Sequence, residues 1–144
     1  MALHRVWIAT ASDGLVRADR VIGIGSHETP RIAGKTPHWL LVVNLEVTAG
    51  SGDRAGWDVG ILDRTLCQSG HPQDEAPVEL AQLLARLDQA DAAGVVTART
   101  GRDTGGRVTF TFTPFPGPAA PAGGPTGGPA TGPTHRPAEP GEYL

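Results

Sequence analysis

Residues 77–113 read PVELAQLLARLDQADAAGVVTARTGRDTGGRVTFTFT, and the apolar period changes inside that stretch. Leu80, Leu83, Leu84 and Leu87 fall at i, i+3, i+4 and i+7, the stripe of an amphipathic helix. Pro77 suits a first helical turn, where its missing N–H has no partner to lose. Asp74 is the candidate cap, and acidic Glu75 and Glu79 complement the positive end of the helix dipole. Gly94 is placed to stop the helix, so the helix is expected over 77–93. Beyond it the period falls to two. Residues 95–100 (VVTART) and 107–113 (RVTFTFT) flank GRDTGG and read as a hairpin. Val108, Phe110 and Phe112 alternate with Thr109, Thr111 and Thr113, which implies one buried and one wet face.

Upstream the pattern is strand-like throughout. Residues 5–10 (RVWIAT) and 15–24 (LVRADRVIGI) enclose Asp13-Gly14, a pair suited to the positive φ of a tight turn. They are expected to form one hairpin, with Val16, Ala18, Ile22 and Ile24 on one face. Residues 25–38 (GSHETPRIAGKTPH) form the longest polar connection, and Pro30 and Pro37 disfavour a regular strand there. Residues 39–47 (WLLVVNLEV) alternate through Trp39, Leu41, Val43, Leu45 and Val47, with Leu40 and Val42 apolar on the opposite face. A strand apolar on both faces belongs in the middle of its sheet. The turn AGSGDRAG leads back along 57–67 (WDVGILDRTLC), where Gly60 marks a bulge.

The fold class expected is α+β: a mainly antiparallel sheet of about six strands in hairpins, with one helix packed on it. A partly closed barrel is the variant. Residues 1–115 constitute the domain. Residues 116–144 hold 15 Pro and Gly among 29 positions and carry no large apolar side chain before Tyr143 and Leu144. Such a segment lacks the apolar surface to offset its ordering entropy, so it reads as a disordered tether.

Composition narrows the function classes. Twelve basic residues against fifteen acidic ones give a net charge of −3, which argues against nucleic-acid binding through a basic face. One lysine among the twelve, with abundant Ala, Gly and Pro, points to a GC-rich, bacterial type of genome. No apolar run reaches the ~18 residues of a membrane helix. The single cysteine, Cys67, and the absence of a secretory signal pattern suggest a cytoplasmic protein.

No motif assigns chemistry. Gly23-Ile24-Gly25 begins like a dinucleotide fingerprint, but Glu28 stands where the third glycine belongs and no helix follows. Ser26, His27 and Glu28 are consecutive and point to alternate sides of an extended chain, so they make no triad together. His27, His38, Cys67 and His71 are the candidate metal ligands, although no paired ligand spacing supports them. His27, Arg31, Lys35 and Trp39 are the binding candidates, a cationic loop against an indole ring. No catalytic residue and no cofactor is expected.

The reading that follows is a non-enzymatic protein-interaction or accessory module, with a protein partner, the last hairpin's edge as docking surface and a C-terminal tether. Homo-oligomers fit this reading. The alternatives are a small enzyme or ligand binder with a site near residues 25–38, Asp63, Cys67 and His71, and a nucleic-acid-associated regulator using Arg17, Arg20, Arg31 and Lys35.

Overall fold

A computed structural model describes residues 3–53 and 56–118, with backbone only for 48–53 and 56–59. Most of the expected tether, from residue 119 onward, and the side chain of Trp57 lie outside the described residues. The elements are β1 (Val6–Ala9), β2 (Leu15–Arg17), β3 (Val21–Glu28), β4 (Trp39–Asp53), β5 (Gly56–Ser69), α1 (Ala76–Gln89), β6 (Gly94–Thr100) and β7 (Val108–Pro114). The fold is α+β, with seven described strands in two sheets rather than about six in one. One sheet runs β2-β1-β6-β7 and the other β3-β4-β5. Both orders are linear, so the described strands close no barrel.

The extra strand comes from residues 15–24. A 3-10 turn at Ala18–Arg20 breaks that segment after β2, and β3 then joins the other sheet. Arg17 donates to Asp19 at 2.7 Å across the break, while Ala18 turns inward and is buried. Only the first half therefore forms the expected hairpin, with Gly14 at φ 113 in its turn. Ile22, expected on the same face as Ala18, is exposed.

Pairing is antiparallel except between β1 and β6. A parallel pair needs a long crossover, and here it contains the entire second sheet and α1. Gly94 pairs with both Val6 and Pro114. A Cβ on Gly94 would stand 2.3 Å from the Thr113 carbonyl oxygen. That close approach accounts for the glycine. It does not stop the helix, as expected, because α1 ends five residues earlier.

The helix stop is instead Asp91, at φ 50. Ala92 N–H donates to Leu87 O at 3.0 Å and Asp91 N–H to Asp88 O at 3.1 Å, the two bonds of a Schellman cap. Arg5 holds the corner by donating to Asp91 O at 2.8 Å and pairing with its carboxylate at 2.6 Å. This bond lowers the Asp91 carboxyl pKa. At the other end Asp74 is not the cap: Glu75 occupies that position and makes no side-chain capping bond.

β4 is central in its sheet, as its two-sided apolar pattern implies. Leu41, Val43 and Leu45 are buried, and Val42 is buried on the other face. A register shift between Leu45 and Thr48 ends the alternation, leaving Val47 exposed. A second shift lies where Leu41 faces Cys67 and Val42 faces Thr65. Gly60 pairs in regular register with Ala49, so the expected bulge is not there. β3 also runs further than the prolines suggested, to Glu28, which shortens the polar connection to ten residues, 29–38.

Both sheets feed one core. Val6, Ile8, Leu41, Val43, Leu80, Val96 and Val108 are fully buried. Leu84 and Leu87 join them from α1, with Leu83, Phe110 and Phe112 packed alongside. Each such leucine contributes roughly 1.5–3 kcal/mol on leaving water. Ala11 N–H donates to Thr65 O at 2.8 Å, and Thr100 Oγ1 to Gln68 O at 3.3 Å, tying β5 to the first sheet. Among the described residues no helix is long and apolar enough to cross a membrane.

Candidate functional site

The connection 29–38 is a closed loop. Thr29 N–H donates to His38 O at 2.7 Å, and His38 N–H to Thr29 Oγ1 at 3.0 Å. Arg31 pairs with Glu28 at 3.3 Å, although its side chain is 80% exposed. Lys35 and His38 line a hollow of about 430 Å³ with Thr29, Pro30, Ile32 and Thr36. Trp39 is half-buried, opposite Glu28 on one side and Ser69 on the other. His27 is exposed on β3, opposite Leu40. The loop thus brings Lys35 and His38 together, while Glu28 engages Arg31.

The candidate ligands are distributed differently. Cys67 is buried opposite Leu41, and burial pushes its thiol up to about 11, so it stays protonated at neutral pH. His71 lies against Gly106 and lines two clefts, of about 340 and 490 Å³. Neither cleft is lined by His27, His38, Asp63 or Cys67. Asp63 accepts from Asn44 Nδ2 at 2.5 Å. No group of three or more His, Cys, Asp or Glu poised to hold a metal occurs among the described residues.

Between these clefts sits a polar cluster that the sequence pattern does not single out. Ser69 and Gln73 are buried. Gln73 Nε2 donates to Ser69 Oγ at 2.8 Å and Gly106 O at 3.0 Å, and its Oε1 accepts from Val108 N–H at 2.9 Å. Ser69 Oγ also donates to Gly106 O at 3.1 Å. Gln73 therefore staples the connection before α1 to the start of β7. Outside it, Arg107 bridges Glu75, at the cap position, and Glu79 of α1.

This staple defines what β7 leaves open. β7 is an edge strand. Phe115 N–H donates to Ala93 O at 2.9 Å, one step beyond the Gly94–Pro114 pair. Hydrogen-bonded pairs alternate along an antiparallel ladder. Thr113, Thr111 and Thr109 therefore exchange bonds with Val95, Thr97 and Arg99 of β6. The N–H and C=O groups of Val108, Phe110 and Phe112 point the other way. Gln73 takes the Val108 N–H, and Pro114 has none. Among the described residues, nothing takes the N–H groups of Phe110 and Phe112.

No charged side chain lies within β7 to block this edge, and Thr109, Thr111 and Thr113 are exposed. A groove of about 480 Å³ runs beside it, lined by Glu79, Gln82, Leu83 and Arg86 of α1, by Thr104 and Arg107 before β7, and by Thr109 and Phe110 within it. Natural edges are usually shielded by charge, bulge or brevity. A seven-residue uncharged edge with two unpaired donors is a template for a further strand. In comparisons with known proteins, the chain matches no family model, no curated protein and no solved structure.

Proposed function

We propose that the protein is a non-enzymatic interaction module whose partner adds a strand to β7. The observation that carries this reading is the pair of unsatisfied N–H groups, Phe110 and Phe112, on an uncharged edge beside an open groove. In this reading main-chain bonds supply affinity, and the α1 side of the groove supplies selectivity. The segment 116–144 acts as the tether that holds the module near what it serves. A cytoplasmic setting accords with a single cysteine, which can form no intramolecular disulfide.

A photo-activatable residue at Thr111 tests the reading in the cells that make the protein. One discrete covalent adduct is expected at Thr111, and none from the same residue at Thr36 in the 29–38 loop. The absence of an adduct at Thr111, or equal adducts at both positions, contradicts it.

A further inference from the structure

We infer that the strand added to β7 is the β7 of a second copy, making a two-fold dimer. This inference rests on the proposed edge function and names its partner.

The backbone pattern is self-complementary. An antiparallel pair centred on Thr111 sets Phe110 opposite the partner's Phe112, and Phe112 opposite the partner's Phe110. Each pair exchanges two hydrogen bonds, so every outward N–H and C=O of both phenylalanines is used. The ladder then stops at both ends for chemical reasons. The next pair would join Val108 to the partner's Pro114, but Gln73 already occupies the Val108 N–H and proline has no N–H. Centring the pair on Phe110 would drive the partner strand into Gln73. Centring it on Phe112 would set the proline ring against the Phe110 carbonyl. The Thr111-centred register avoids both.

Side chains agree with that register. Phe110 and Phe112 are half-buried, and facing a partner's phenylalanine they gain cross-strand aromatic contact. Thr111 meets the partner's Thr111 in a non-hydrogen-bonded pair, with Cα atoms about 4.5 Å apart.

Charge on α1 agrees as well. The two-fold axis of an antiparallel pair is perpendicular to the sheet, so both helices lie on the same side and run antiparallel. The groove-lining residues Glu79, Gln82, Leu83 and Arg86 then face their own copies in reverse order. The Glu79 end of each helix is thereby set toward the Arg86 end of the other, with Glu79 also held by its own Arg107. Arg86 makes no ion pair among the described residues, so its charge is available for this contact.

Sedimentation of the full chain across micromolar to millimolar concentration tests the inference. Wild type is expected to reach twice the chain mass. Thr111→Lys and Thr111→Glu place like charges directly opposite each other, and each is expected to weaken the dimer about tenfold or more. An equimolar mixture of the two variants restores it. Thr111→Cys is expected to form an interchain disulfide under mild oxidation, because the pair spacing falls within disulfide range. Thr36→Cys is not. This arm decides the matter should the charged variants fail to fold. A wild type that stays monomeric, a dimer indifferent to both Thr111 charges, or equal cross-linking at Thr36 overturns the inference. A monomer whose Thr111 photo-adduct is a different protein overturns the dimer and leaves the edge function standing. A monomer without any adduct overturns both.

Discussion

Gln73 shows how a single side chain separates the closed part of an edge from the open part. Its amide satisfies Ser69 Oγ and Val108 N–H in buried bonds and Gly106 O in a partly buried one. Gln73→Ala would leave the buried Val108 main-chain N–H without a partner, at roughly 1–3 kcal/mol, while Gly106 O keeps its bond from Ser69 Oγ. We expect chemical denaturation to show a loss of about 2 kcal/mol. A change below about 0.5 kcal/mol would mean that the staple does not hold. Residue-scale chemistry of this kind was poorly legible in the sequence. A glutamine in a polar segment between a strand and a helix looks like any solvated residue, because its partners lie 4 to 35 positions away. The histidines are the opposite case, conspicuous by type alone. His27, His38 and His71 invite a metal reading by type, yet position alone decides whether such side chains meet.

At the scale of elements, periodicity carried most of the information. The leucine stripe located α1, strict Val/Phe alternation located β7, and the two-sided apolar run placed β4 in the centre of its sheet. Element ends were less legible, since they are decided by local geometry. Gly94 was the natural stop by composition, but Asp91 adopts the left-handed conformation and Arg5 secures it from 86 positions away. Asp tolerates this conformation because its short polar side chain bonds locally, whereas alanine pays ~1–2 kcal/mol there. Asp91→Ala is expected to lower stability by about 1 kcal/mol, and Asp91→Gly by less, as measured by thermal unfolding. An Asp91→Ala variant as stable as wild type would contradict this account of the cap. The break at Ala18–Arg20 was equally hidden, because an unbroken β-like pattern through residues 15–24 cannot report that its two halves join different sheets.

At the scale of the molecule, the α+β class followed from the switch in period between residues 77 and 113, and the parallel β1–β6 pairing did not. Pairings between distant strands depend on which edges meet after collapse, and no local pattern encodes them. The same applies to the surface on which the functional reading rests. The alternation of Phe and Thr was visible in the sequence, but the direction of each N–H emerged only from the register with β6 and the Phe115–Ala93 bond. Residue-resolved amide hydrogen exchange along β7 therefore tests the central claim most directly, comparing assembled wild type with the Thr111→Lys variant. We expect the amides of Thr109, Thr111 and Thr113 to be slow in both, held by β6. Those of Phe110 and Phe112 should be slow only in the assembled wild type and fast in the variant. Phe110 and Phe112 amides that exchange alike in the two proteins would contradict the account.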